Sequence, residues 1–285
     1  MPTVHRTAIV EDGASLADGV VVGPYAFIGP EVTIGPGTRL DHGVIIEGRT
    51  TLGADNHLFP YCVVGTIPQD KKYAGEPANV EIGNRNHIRE HVTIHIGTKQ
   101  GGELTSIGDD NLIMAGAHVG HDCHVGNNCI LANYTGLAGH VTIEDHAILG
   151  GQTGIHQFVR VGAHCITSGG SKVGKDIPPF TVAQGYPARL RGINHVGLKR
   201  RGFSDQTIRL LRQVYRAVFF GQEAPFQELL EKVRAEFQGS HEAKSFLDFL
   251  ELAANSDRGF LRPSRGNDEN GTDAASSSGG IASSA

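Results

Sequence analysis

The residues of this chain best suited to chemistry are its imidazoles, fifteen in all, and one of them, His121, is followed directly by a carboxylate, Asp122. A neutral imidazole, with an ordinary pKa of about 6.5, accepts a proton near neutral pH, and general-base help of this kind is worth about 10²–10⁴ in rate. An adjacent carboxylate can orient the ring. Two further spacings invite a different chemistry, zinc binding: His87, His91 and His95 are separated by four residues, and His118, His121 and His124 by three. On a helix either set would form one face; on strands the same spacing turns the rings in different directions. The elements that carry the histidines therefore decide between the two.

Those elements announce themselves as a repeat of six. Aliphatic residues stand at Val4, Val10, Leu16, Val22, Ile28, Ile34, Leu40, Ile46, Leu52, Leu58 and Val64, resume at Ile82, Ile88 and Ile94, and continue one phase later from Ile107 through Val119, Val125, Leu131 and Leu137 to Val161. A period of six suits neither a helix nor a single strand, but it fits a three-sided coil in which each flat side takes six residues and points its aliphatic residue inward. Glycine often follows the aliphatic, as at Gly23, Gly29, Gly35, Gly108 and Gly126, where it is expected to supply the unusual backbone angles of a corner. Cys62, Cys123, Cys129 and Cys165 each lie four residues after an inward aliphatic, so they read as small buried core thiols rather than disulfide or zinc ligands, in keeping with a reducing compartment.

Coils of eighteen residues stack each residue over the one eighteen earlier. His121 then shares a column with Gly139 and Gln157, and Asp122 with His140 and Phe158, while His156 stands in the column of Gly120 and Ala138. This brings His121, His140 and His156 onto neighbouring coils beside Asp122. The backbone N–H of Gly139, uncovered by any side chain, is placed to stabilise an oxyanion.

The expected architecture is mainly β, a parallel β-helix over residues 1–190 interrupted by polar excursions at 66–79 and 97–106, followed by a small α-helical domain over 191–262. In that domain Ser204 is expected to cap a helix carrying Ile208, Leu211, Tyr215, Val218 and Phe219, Ala224-Pro225 to open a second, and Phe246, Phe249 and Leu250 to mark a third. Residues 263–285 have the composition of a disordered tail. Net charge is −5, which gives no general basic field for nucleic acid, and no apolar run is long enough to span a membrane. A cytoplasmic protein is expected.

Long stretches of the chain resemble the UDP-N-acetylglucosamine acyltransferase family of hexapeptide-repeat enzymes: HVGHDCHVGNNCILAN at 118–133, LAGHVTIEDHAILGG at 137–151, IHQFVRVGAH at 155–164, PPFTVAQG at 178–185, GLKRRGFS at 197–204, QDKKYAGEP at 69–77 and VTIHIGT at 92–98. The resemblance covers about residues 4–262. It implies a left-handed β-helix, a homotrimer with active sites between subunits, and transfer of a 3-hydroxyacyl chain from acyl carrier protein to the 3-hydroxyl of UDP-N-acetylglucosamine, the first step of lipid A synthesis, without a cofactor or metal. Carried over by position, His121 is the general base, Asp122 its orienter and Gly139 the oxyanion donor. Asp70 and Lys72, supplied by a neighbouring subunit, bind the acceptor, and His95, His118, His140, His156 and Gln157 line the cleft. Asn194, Arg200 and Arg201 hold the nucleotide, and Asn133, Gly151 and Gly169 shape the acyl groove. Pro187 stands where better-known members carry histidine, and Val196 where they carry glutamate. A related N-acyltransferase forming an amide, an acetyl-CoA-dependent sugar acetyltransferase, a trimeric β-helix zinc enzyme and a non-catalytic scaffold are the alternatives.

Overall fold

The computed structural model describes residues 1–221 and 224–264. Two-residue strands follow the six-residue beat, and each pairs in parallel with the strand one coil away, giving three sheets of eleven, nine and eight strands that form the sides of a prism. The first face runs from Thr3–Val4 to Ile166–Thr167, the second from Ile9–Val10 to Lys172–Val173, and the third from Ser15–Leu16 to Arg160–Val161. Val4 pairs with Val22 and Val22 with Leu40, the expected step of eighteen. Where the excursions enter, the pairing jumps, from Leu58 to Ile88 and from Ile88 to Ile113, so the insertions loop outward and the stack continues beneath them. The second excursion is shorter than the sequence suggests, because Leu104–Ile107 is already strand.

The inward aliphatics form the core. Ile28, Ile46, Leu58, Val64, Ile88, Ile94, Ile113, Val119, Leu131 and Leu137 are buried completely, as are all four cysteines. Each thiol donates to a main-chain carbonyl, for example Cys62 to Arg89 at 2.8 Å and Cys123 to Ala138 at 3.0 Å. Burial pushes Cys62, Cys123 and Cys165 up to about 12, which leaves them protonated and unreactive. Three buried asparagines, Asn56, Asn86 and Asn111, form an amide ladder with 3.0 Å links across the coils where the excursions enter. Their amides also donate to Gly83, Gly108 and Gly126 carbonyls, satisfying corner groups that would otherwise be unpaired inside the prism.

Glycine's part in the corners differs from the expectation. The left-handed position is the second residue of each turn, and many side-chain-bearing residues occupy it, among them Asp122 at φ 58°, His140 at 61° and Phe158 at 64°. The glycines that follow the aliphatics are there for clearance: a Cβ on Gly35 would come within 2.6 Å of the Gly53 backbone, and one on Gly23 within 2.8 Å of Asp41. Coil spacing near 4.8 Å leaves no room for a methyl at that point.

The parallel stack ends in a hairpin, Thr181–Gly185 against Ala188–Ile193, which extends the first face past residue 190. Helices α1 (His195–Arg200), α2 (Asp205–Phe220), α3 (Phe226–Glu236) and α4 (His241–Ala254) follow. The short α1 has no counterpart in the hydrophobic pattern. Ser204 caps α2, accepting from the Thr207 N–H, and Ser240 caps α4 in the same way. The chain then returns: Gly259 and Leu261 hydrogen-bond to Asp176, and Pro263 bridges to Leu190. Pro263, expected in a disordered tail, is thus pinned to the hairpin, while 265–285 lie outside the described residues. No helix among the described residues is long and apolar enough to cross a membrane.

Candidate active site

The corner between the second and third faces carries the chemistry. His121 and Asp122 are both buried there, and His121 Nδ1 lies 2.8 Å from Asp122 Oδ2. The carboxylate is held from three sides: Oδ1 accepts the Thr98 N–H at 2.8 Å, Oδ2 accepts the Thr98 hydroxyl at 2.6 Å, and the Asp122 N–H donates to Thr105 Oγ1. Thr98 and Thr105 flank the second excursion, whose purpose in this fold is therefore to grip Asp122. With its Nδ1–H donated to the carboxylate, His121 keeps the Nε2 lone pair free, the tautomer a general base needs. That nitrogen faces Gly139 on the next coil, where a Cβ would stand 2.5 Å from it. Gly139 is the first residue of its corner turn, and among the described residues no main-chain acceptor takes its N–H.

His140 stacks on Phe158 at 4.4 Å and meets His121 edge-on at 5.0 Å, with its Nδ1 3.8 Å from Asp122. Burial is the main cause holding its pKa below the ordinary imidazole value. His95 and His118 form a second pair at 5.2 Å, His95 donating from Nδ1 to the Ile67 carbonyl and His118 contacting Thr93 Oγ1 at 2.8 Å. Burial, then the neighbouring His95 and His121, push His118 down to about 4. The expected triple cluster is therefore two pairs. His156 and Gln157 are exposed one coil on, and His156 lines a cavity with His118 instead of touching the catalytic corner.

Other expected residues divide. Asp70 lies near enough to His140 of its own chain to favour the imidazolium, so the first excursion serves its own corner, and a neighbouring subunit is not needed to bring it there. Lys72 is exposed on the same loop. Asn194, expected on the nucleotide, is 5% exposed and spends its amide on the fold: Oδ1 caps α1 through the Gly197 N–H and Nδ2 donates to the His164 carbonyl. Arg201 donates to the His146 carbonyl and lies 3.3 Å from His164 Nδ1, whereas Arg200 is exposed. Asn133, Gly151 and Gly169 stack at the corner between the first and second faces, where a Cβ on Gly169 would lie 3.3 Å from the Gly151 carbonyl. The adjoining cavity, about 640 Å³, is not lined by them but by Gly136 and Gly154 on the flat of the second face, with His118, His156, Lys172, Tyr186 and Pro187 around.

The zinc spacings disperse as strands require. His87 is on the first face, His91 at a corner and His95 on the second face; His118 and His124 lie on two different faces, with His124 bonded to Ser106. A different set, His121, Asp122 and His140, does bring ligand atoms within 4.8 Å. A cation there would have to displace the Nδ1–H of His121 or the Thr98 hydroxyl from Asp122, so the carboxylate's existing partners compete with it.

Buried neutral histidines make stability pH-dependent. His118 and His164 are both depressed to about 4, burial being the main cause. Between 6.5 and about 4 the unfolded chain holds protons the folded chain does not, so the stability present above pH 6.5 is lost as pH falls through that window. The Tm should decline across it, by ~2–4 °C for each kcal/mol lost. His118→Gln should decline less steeply over the same range, and parallel curves for the two proteins would contradict the assignment.

Comparison with known proteins agrees with this geometry. The family model described as UDP-N-acetylglucosamine O-acyltransferase domain 2 matches residues 176–261, and the six-repeat bacterial transferase hexapeptide model matches 104–139. A protein of Verminephrobacter eiseniae (strain EF01-2), named acyl-(acyl-carrier-protein)-UDP-N-acetylglucosamine O-acyltransferase, is 49% identical over 92% of this chain and all of its own length. The structure titled LpxA from Acinetobacter baumannii superposes with a TM-score of 0.87 at 43% identity, covering 91% of this chain and 99% of that one. An Arabidopsis UDP-N-acetylglucosamine acyltransferase superposes at 0.80 and 33% identity, covering 90% and 99%. The prism is accordingly the left-handed parallel β-helix, and the chain belongs to the UDP-N-acetylglucosamine O-acyltransferase family.

Proposed function

We propose that this chain moves a 3-hydroxyacyl group from acyl carrier protein to the 3-hydroxyl of UDP-N-acetylglucosamine, opening lipid A synthesis, with His121 as the general base. O-acylation of UDP-N-acetylglucosamine from acyl carrier protein is the activity its relative is named for. The observation that carries the mechanism is the His121 ring, fixed by Asp122 through Nδ1 and turned with Nε2 toward bare backbone at Gly139. In this reading Nε2 takes the hydroxyl proton as the sugar oxygen attacks the thioester carbonyl. The oxyanion settles on the Gly139 N–H, the C–S bond breaks, and the thiolate leaves with the proton returned by the imidazolium. The thioester is already activated, so the chemistry asks for no cofactor.

Asp70, Lys72, His95, His118, His140, His156 and Gln157 then supply acceptor and donor contacts, and the exposed guanidinium of Arg200 meets the phosphates. Asn194 acts indirectly, by fixing the start of α1. Assembly as a homotrimer, with a second chain completing the open side of the cavity, follows the hexapeptide-repeat pattern, and four buried free thiols suit the reducing cytoplasm. The test is mass spectrometry of products formed from UDP-N-acetylglucosamine and a ladder of 3-hydroxyacyl carrier proteins. An ester product at the sugar is expected. Transfer confined to a 3-amino sugar, giving an amide, would select the N-acyltransferase reading instead.

A further inference from the structure

The outward positions of the second face read His118, Gly136, Gly154, Lys172 from one coil to the next, each paired in register with the one before. Outward positions on such strands ordinarily carry a side chain. Two successive glycines leave a bare strip of main chain between the imidazole of His118 and the amine of Lys172, and this strip is the floor of the 640 Å³ cavity. Nothing within 4 Å stands over Gly136 where a Cβ would be. Over Gly154 the space is taken: Lys172 Cδ and Nζ both lie 3.1 Å from that position, and Nζ reaches the Gln152 carbonyl at 3.5 Å. The lysine therefore does not extend into solvent but folds back along the floor, its methylenes facing the strip and its amine turned to the rim.

We propose that Lys172 is the acyl-length determinant of this chain, its stem acting as the end wall of a trough that begins beside the catalytic corner. The inference rests on the acyl-transfer reading above. The trough starts at Leu137 and Ala138, next to Gly139, and crosses a floor without polar side chains. That continuity commits it to the apolar chain attached to the reacting carbonyl, since a nucleotide would leave its phosphates over bare glycine with no donor but the far amine. Two coil steps of ~4.8 Å separate the level of His118 from Gly154, where the stem closes the path.

Three proteins, wild type, Lys172→Gly and Lys172→Met, offered 3-hydroxyacyl carrier proteins of increasing length decide the matter. Lys172→Gly should shift the preferred chain upward by about four carbons, the length of the stem removed. Lys172→Met, which keeps the stem and loses the charge, should retain the wild-type preference. Identical length profiles in wild type and Lys172→Gly overturn the proposal, as does a Met variant that follows the Gly variant, because charge and not bulk would then be responsible. A raised KM for UDP-N-acetylglucosamine with an unchanged length profile overturns it too, placing the lysine on the acceptor. Absence of transfer from every carrier protein by the wild type would instead remove the acyl-transfer reading itself, a different result from an unshifted profile.

Discussion

Replacing His121 with alanine is expected to slow acyl transfer by about 10²–10⁴, the range for losing a positioned general base, while Tm changes little. The ring lies at the rim of the prism, on the corner and not among the inward aliphatics, so removing it leaves no core cavity. Single-turnover acylation by the purified variant, with its Tm measured alongside, separates the two effects. The Gly139 amide and the binding contacts remain, so a residual rate above water is expected. Turnover within a few-fold of wild type would remove His121 from the mechanism.

Asp122→Asn should damage both rate and stability, for a reason visible in its hydrogen bonds. The carboxylate accepts from three donors: the Thr98 N–H, the Thr98 hydroxyl and the His121 Nδ1–H. An amide has only one oxygen. If its NH₂ takes the Oδ2 position, it faces the imidazole as a donor and drives His121 to the opposite tautomer, with the proton on Nε2 where the lone pair is needed. If it takes the Oδ1 position, it confronts the Thr98 N–H, leaving a buried donor unpaired at ~1–3 kcal/mol. The rate should drop by ~10²–10⁴, comparable to other wrong-tautomer substitutions, and Tm should fall by ~2–4 °C per kcal/mol. A rate loss with unaltered Tm would select the first orientation, a lowered Tm with little rate loss the second; an enzyme unaffected in both respects would refute the bonding described.

Much of this arrangement was legible because a six-residue beat converts sequence distance into spatial distance by subtraction. Leu131 and Leu137 are inside and Gly139 lies against His121 for that reason alone. The subtraction fails where the excursions break the count. Thr98, which holds Asp122 twice, stands twenty-four residues before it rather than eighteen, and the Asn56, Asn86 and Asn111 ladder steps by thirty and twenty-five. Asn194 was legible as a polar residue near a basic run but not as the cap of a helix too short to show periodicity. Lys172 shows the remaining limit: its column follows from counting, whereas the turn of its stem back over Gly154 depends on side-chain torsions that no spacing encodes.

The two ends of the prism are finished differently. At the start, Val4 and Ile9 are 43% and 56% exposed, with nothing stacked beneath them, whereas the last coils are sealed by the hairpin, α1 to α4 and the returning strand at Asp176. Each coil touches only the coils on either side, so loosening propagates along one axis and begins where a neighbour is missing. Fraying therefore consumes the Met1 end first, and His121, many turns inward, keeps its alignment while that end breathes. The molecule can lose order gradually at one extremity without its reactive centre sensing the loss.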